Sequence, residues 1–166
     1  MSRVSFPNLL VMLLSLTLTT ACNDDKVTSP TIPAGVEELN ATLAPYTSLA
    51  LARQAGYTTM LTDCMSNGDL GAMGVHWAKA ELLDATTDPL QPEVLIYEPG
   101  TGGESSLVGV EFVVPFAALP KTSPAPVLFG QPFTPDDTFG VWALHVWTPR
   151  ANPSGLFSPW NPRVHC

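Results

Sequence analysis

The chain has 166 residues, 45% of them hydrophobic, with 7 Lys and Arg against 15 Asp and Glu and a formal net charge of −8. That length and apolar content suit a single globular domain. The scarcity of Lys and Arg disfavours nucleic acid, and an anionic membrane surface, as partners, since both select clustered positive charge.

Residues 1–21 have the pattern of a signal peptide. Arg3 supplies a positive start, Leu9 to Leu16 an apolar stretch, and Thr17 to Ala21 a run of small residues that ends at Cys22. The apolar stretch falls short of the roughly 20 residues that span a bilayer. A small residue directly before a cysteine resembles the lipobox of bacterial lipoproteins, in which lipid is attached to the thiol. Thr19 departs from that pattern, because leucine is preferred there and Leu18 lies one place early. The expectation is therefore a lipidated Cys22, an anchor in the membrane and an extracytoplasmic place in the cell envelope; simple secretion is the alternative. Removing residues 1–21 takes away Arg3 alone among the charges and makes the remainder slightly more acidic. Residues 22–35 are polar, hold Pro30 and Pro33, and read as a flexible tether.

Residues 36–166 read as one α+β domain, with an N-terminal helical segment packed on a mainly antiparallel β-sheet with long ordered loops. Val36 to Ala55 carries Leu39, Leu43, Tyr46, Leu49 and Ala50 at helical steps, with Pro45 dividing it and Gly56 closing it. From Tyr57 the pattern turns to strands: Tyr57–Leu61, the segment entered by Gly74-Val75-His76-Trp77, Val94–Tyr97, Leu107–Val114 and Phe139–Trp147. Met65–Ala72 reads as a loop. Glu98 to Glu104 reads as a hairpin loop; its glycines do not make a phosphate loop, because no lysine and no helix follow. The 17 prolines disfavour long helices, and Thr148 to Cys166 reads as ordered coil.

With Cys22 lipidated, Cys64 and Cys166 remain, and in an oxidising compartment they are expected to pair. Such a bond closes a loop of about 100 residues, worth roughly 4–5 kcal/mol by chain entropy. Metal ligation by these cysteines is the alternative, although no CxxC or Cys-His cluster surrounds Cys64.

Three polar residues fall inside apolar runs. Glu111 lies in Leu107-Val108-Gly109-Val110-Glu111-Phe112-Val113-Val114, where strict alternation sets Val108, Val110, Phe112 and Val114 on one face and Leu107, Gly109, Glu111 and Val113 on the other. Both faces are apolar, so the carboxylate needs a partner or a proton. His145 shares a face with Val141, Ala143 and Trp147, and His76 is flanked by Val75 and Trp77. Two histidines and a carboxylate are a donor set for a divalent metal as cofactor, and they equally suit acid–base work on a small substrate. The spacings carry no motif, and mutual satisfaction within the core accounts for the same pattern. His165 is expected at the surface without a role, and Phe157 and Trp160 are expected to cap the core, with carbohydrate contact as the alternative.

Gly74-Val75-His76-Trp77, Glu93 to Pro99, Leu107 to Pro115, Leu144-His145-Val146-Trp147, Asn152 to Phe157 and Trp160 to Cys166 together resemble an uncharacterised family of secreted bacterial proteins. That resemblance runs from about Tyr46 to the end and implies no activity. More distantly, Ile96-Tyr97, Leu107 to Phe112 and His145-Val146-Trp147 are similar in order to segments of plant oil-body-associated proteins, with Phe112 in place of their tyrosine. This implies a common fold at most, and a common site for Glu111 and His145. The functional expectation is an exported, lipid-anchored binding domain for a divalent metal or small ligand through His76, Glu111 and His145. A metal-assisted or acid–base enzyme using the same trio, and a structural envelope protein without a small-molecule site, are the alternatives.

Overall fold

The computed structural model describes Met1 and residues 32–166; the expected signal, Cys22 and most of the tether lie outside the described residues. Among the described residues the chain is mainly antiparallel β-sheet with few helices. Two short helices come first, α1 (Val36–Thr42) and α2 (Leu49–Gln54). Glu37 and Glu38 occupy the first turn of α1, where the helix dipole favours negative charge. Pro45 divides the helical stretch as expected, but it opens a separate 3₁₀ turn, Ala44–Tyr46, and the second helix starts only at Leu49. Gly56 follows α2, whose end is closed by Gly56 N–H to Arg53 O (3.2 Å) and Tyr57 N–H to Ala52 O (3.1 Å).

Six strands form one sheet in the order β1-β2-β3-β4-β8-β7, all neighbours antiparallel. They are β1 (Thr59–Ser66), β2 (Ala72–Ala78), β3 (Val94–Pro99), β4 (Ser105–Pro115), β7 (Thr134–Asp136) and β8 (Val141–Val146). A two-stranded ribbon, β5 (Val127–Leu128) with β6 (Gln131–Pro132), lies in the β4–β7 connection. β1 runs on through Met65 and Ser66, which the sequence assigns to a loop. Conversely, β8 begins at Val141 and leaves Phe139 in the preceding turn.

One face of the sheet carries Leu95, Tyr97, Leu107, Val110, Phe112, Val114, Trp142, Leu144 and Val146 into the main core, which Val36, Leu39, Leu43, Ala52, Tyr57 and Phe133 also enter. Each Val, Leu or Phe side chain among these contributes about 1.5–3 kcal/mol when taken from water. Strict alternation along β4 fails at one place. Ile96 opposes Gly109 and Tyr97 opposes Leu107, so Val108 is an extra residue in β4. The bulge moves Leu107 to the main-core face and sends Val108 to the opposite face, where it packs with Ile96 and Trp147. Gly109 makes room there: a Cβ on it would stand 2.9 Å from Cε3 of Trp147.

The C-terminal coil binds the edge of this second face. Ala72 and Asn161 exchange backbone hydrogen bonds of 3.2 and 3.1 Å, and Trp147 Nε1 donates to Ser158 O. Arg150 pairs with Glu98, whose other oxygen accepts the His165 N–H at 2.8 Å. Cys64 and Cys166 are joined as a disulfide, their Cα atoms 5.5 Å apart. That bond fixes the last residue to β1.

Candidate functional site

His76, Glu111 and His145 reach one point on the second face. Glu111 of β4 lies directly opposite His145 of β8, a register that puts both side chains on the same side. His76 comes from β2, with β3 between it and β4; it opposes Ile96, and Ile96 opposes Gly109. Gly109 carries no side chain at its place on this face, which leaves room beside Glu111 and His145. A positive φ of 97° at Gly74 interrupts the alternation of β2, and Met73 lines the cavity that His76 faces.

His145 Nδ1 is 3.4 Å from Glu111 Oε1, His76 Nε2 is 3.7 Å from Glu111 Oε2, and the two Nε2 atoms are 3.4 Å apart. One ligating atom from each residue lies within 4.8 Å of the others. The imidazole rings meet edge to face at 90°, and His145 stacks on Trp147 with 16° between the planes. Thr62 of β1 touches the far nitrogen of His76, Oγ1 to Nδ1 at 2.8 Å. An Nδ1–H donating to that hydroxyl leaves the Nε2 lone pair aimed at Glu111 and His145.

Burial sets the charge state. His76 and His145 retain 3% and 8% of their exposure and the Glu111 side chain 12%. Desolvation lowers the pKa of each histidine to about 4 and raises that of Glu111. Glu111 opposes the lowering at His76, and Asp136 opposes it at His145. Without a cation, the trio is therefore stable near neutrality with few charges: two neutral imidazoles beside a carboxyl that resists ionisation.

A cavity of about 360 Å³ opens above the trio. Its walls are Leu61, Met65, Met73, Val113, Phe139, Val141 and Trp160, with Thr62, Asp136 and Thr138 as polar members. Trp160 thus faces this cavity, whereas Phe157 packs partly buried against the main core. The Asp136 carboxylate is held by the N–H groups of Thr138 (2.8 Å) and Phe139 (3.2 Å).

Sequence reasoning did not single out Thr62, Asp136 or Glu93. The first two depend on pairings of β1 with β2 and β7 with β8 that no local pattern reveals. Glu93 had a signal, because it heads the apolar run Val94-Leu95-Ile96. It is 2% exposed, accepts the Val113 N–H at 3.0 Å, and is pushed up to about 8, chiefly by burial. His165 is exposed and belongs neither to the trio nor to the cavity lining. Comparisons with protein families, with curated proteins and with solved structures find no match to the chain.

Proposed function

We propose that this protein is a lipid-anchored extracytoplasmic domain that binds a divalent transition metal through His76, Glu111 and His145. The supporting observation is the spacing of the donor atoms. Separations of 3.4, 3.7 and 3.4 Å exceed the 2.7–3.2 Å of good hydrogen bonds. One donor atom from each residue lies within 4.8 Å of the others, a cluster that a divalent ion with bonds of about 2.0–2.1 Å would draw together. Three protein ligands leave a position open toward the cavity, and Thr62 supports His76 as outer-shell partners commonly do. In this reading the N-terminal helical segment packs on the sheet and leaves the second face free for the site. The resemblance to secreted bacterial proteins, and the pattern ending at Cys22, support the export and anchor.

The cavity favours a second reading, metal-assisted or acid–base catalysis by the same trio on a small substrate. Metal analysis of the purified protein, refolded with and without Zn(II) and dialysed, tests the first reading. Near one equivalent retained is expected; none retained leaves a structural envelope protein as the better account. Glu111→Gln abolishing a turnover while the fold survives would favour the enzyme. For the anchor, Cys22→Ser should move the protein from the membrane to the soluble fraction, and unchanged membrane association would refute lipidation.

A further inference from the structure

Resting on the metal reading, we infer that the ligand of this site is a small amphipathic monoanion, its oxygen head on the metal and a short apolar body in the cavity. The groups in the cavity lining suited to a polar head are the trio, Thr62, Thr138 and Asp136. The walls that a body would touch are Leu61, Met65, Met73, Phe139 and Trp160. Leu61 and Phe139 are 41% and 49% exposed at the mouth, where an apolar chain passing between them would cover both.

No Lys or Arg lines the cavity. An anionic head therefore has no cationic partner there except the metal, and without it the acidic side chains of Glu111 and Asp136 offer no attraction. A divalent ion coordinated by Glu111 carries one residual positive charge, which a single anionic oxygen neutralises. A dianion would leave excess charge in a low-dielectric site beside Asp136. The volume of about 360 Å³ is at the small end of ligand pockets, which suits a short body and excludes a polymer.

The test uses Co(II) as the metal and straight-chain monocarboxylates from acetate to octanoate as probes. Co(II) absorption reports the metal, and calorimetry reports carboxylate binding. Affinity is expected to rise by about fourfold per added methylene and to level off once the chain outgrows the cavity. Binding should vanish when Co(II) is omitted. Leu61→Gln combined with Phe139→Gln should reduce the gain per methylene, with the Co(II) bands showing the ligand set intact. Bound Co(II) with affinity independent of chain length, or equal carboxylate binding without metal, would overturn the inference and leave the metal site standing. Absence of Co(II) binding would overturn both.

Discussion

Glu111 and His145 face each other across the β4–β8 ladder, with Glu111 Oε1 3.4 Å from His145 Nδ1. Directly opposed positions fix this pair through the backbone register. His76 is placed less directly, from two strands away, and Thr62 at 2.8 Å holds its ring. Thr62→Val keeps the shape of that side chain and removes the hydroxyl. Metal affinity should fall by roughly 10- to 100-fold, measured by competition with a chelator, while unfolding changes little. Unaltered affinity would mean that His76 is oriented by packing alone.

The close approach of Trp147 to Gly109 supports the site from behind. A methyl group placed on Gly109 would meet the Trp147 ring at 2.9 Å, and that ring stacks on His145. Gly109→Ala should destabilise the fold by about 1–3 kcal/mol in denaturant titration. It should also weaken metal binding, because His145 moves with the indole.

Glu93 gives the metal-free protein a pH dependence of defined sign. Its pKa is raised from 4.5 to about 8, mainly by burial, so the folded state holds a proton that the unfolded chain releases above its own carboxylate pKa. Its contribution to stability therefore declines as pH rises from about 4.5 to 8 and is flat beyond. Glu93→Gln retains an oxygen for the Val113 N–H and removes the titration. The variant should gain stability over wild type by a few kcal/mol between pH 5 and 8, measured with a chelator present. A difference that does not change with pH would contradict this. His76 and His145 act in the other direction, since their lowered pKa values cost stability as pH falls from 6.5 toward 4.

The Cys64–Cys166 bond closes a separation of 102 residues and tethers the end of the coil that carries Trp160. Reduction should cost roughly 4–5 kcal/mol, read as a shift of the urea midpoint. A midpoint that does not move on reduction would show that the coil is held by Ala72–Asn161 and Arg150–Glu98 without it.

Much of the sheet is legible in the sequence because Val94–Tyr97, Leu107–Val114 and Val141–Trp147 are long enough for apolar runs to stand out. β5, β6 and β7 are two or three residues each, and Pro132 and Pro135 disguise them. The bulge at Val108 is hidden for another reason: alternation along β4 contains no mark of an extra residue, and only the Trp147 ring over Gly109 explains it. The three candidate ligands stand out individually as polar groups within apolar segments. That they meet follows from the strand order β2-β3-β4-β8, which spacings of about 35 residues do not encode. The pairing of Cys64 with Cys166 is legible from the count of cysteines, whereas Thr62 and Asp136 are ordinary polar residues until their strands are paired.

Calorimetric titration of the metal-free protein with Zn(II) tests the central claim most directly, with His76→Ala, His145→Ala and Glu111→Gln run beside wild type. Wild type should bind one equivalent, more tightly as pH rises because Glu111 must release its proton. Each variant should lose more than the roughly 10- to 100-fold in affinity that loss of an outer-shell partner costs, while keeping its circular dichroism spectrum. No binding by wild type, or equal binding by all four proteins, would contradict the assignment of His76, Glu111 and His145 as a metal site.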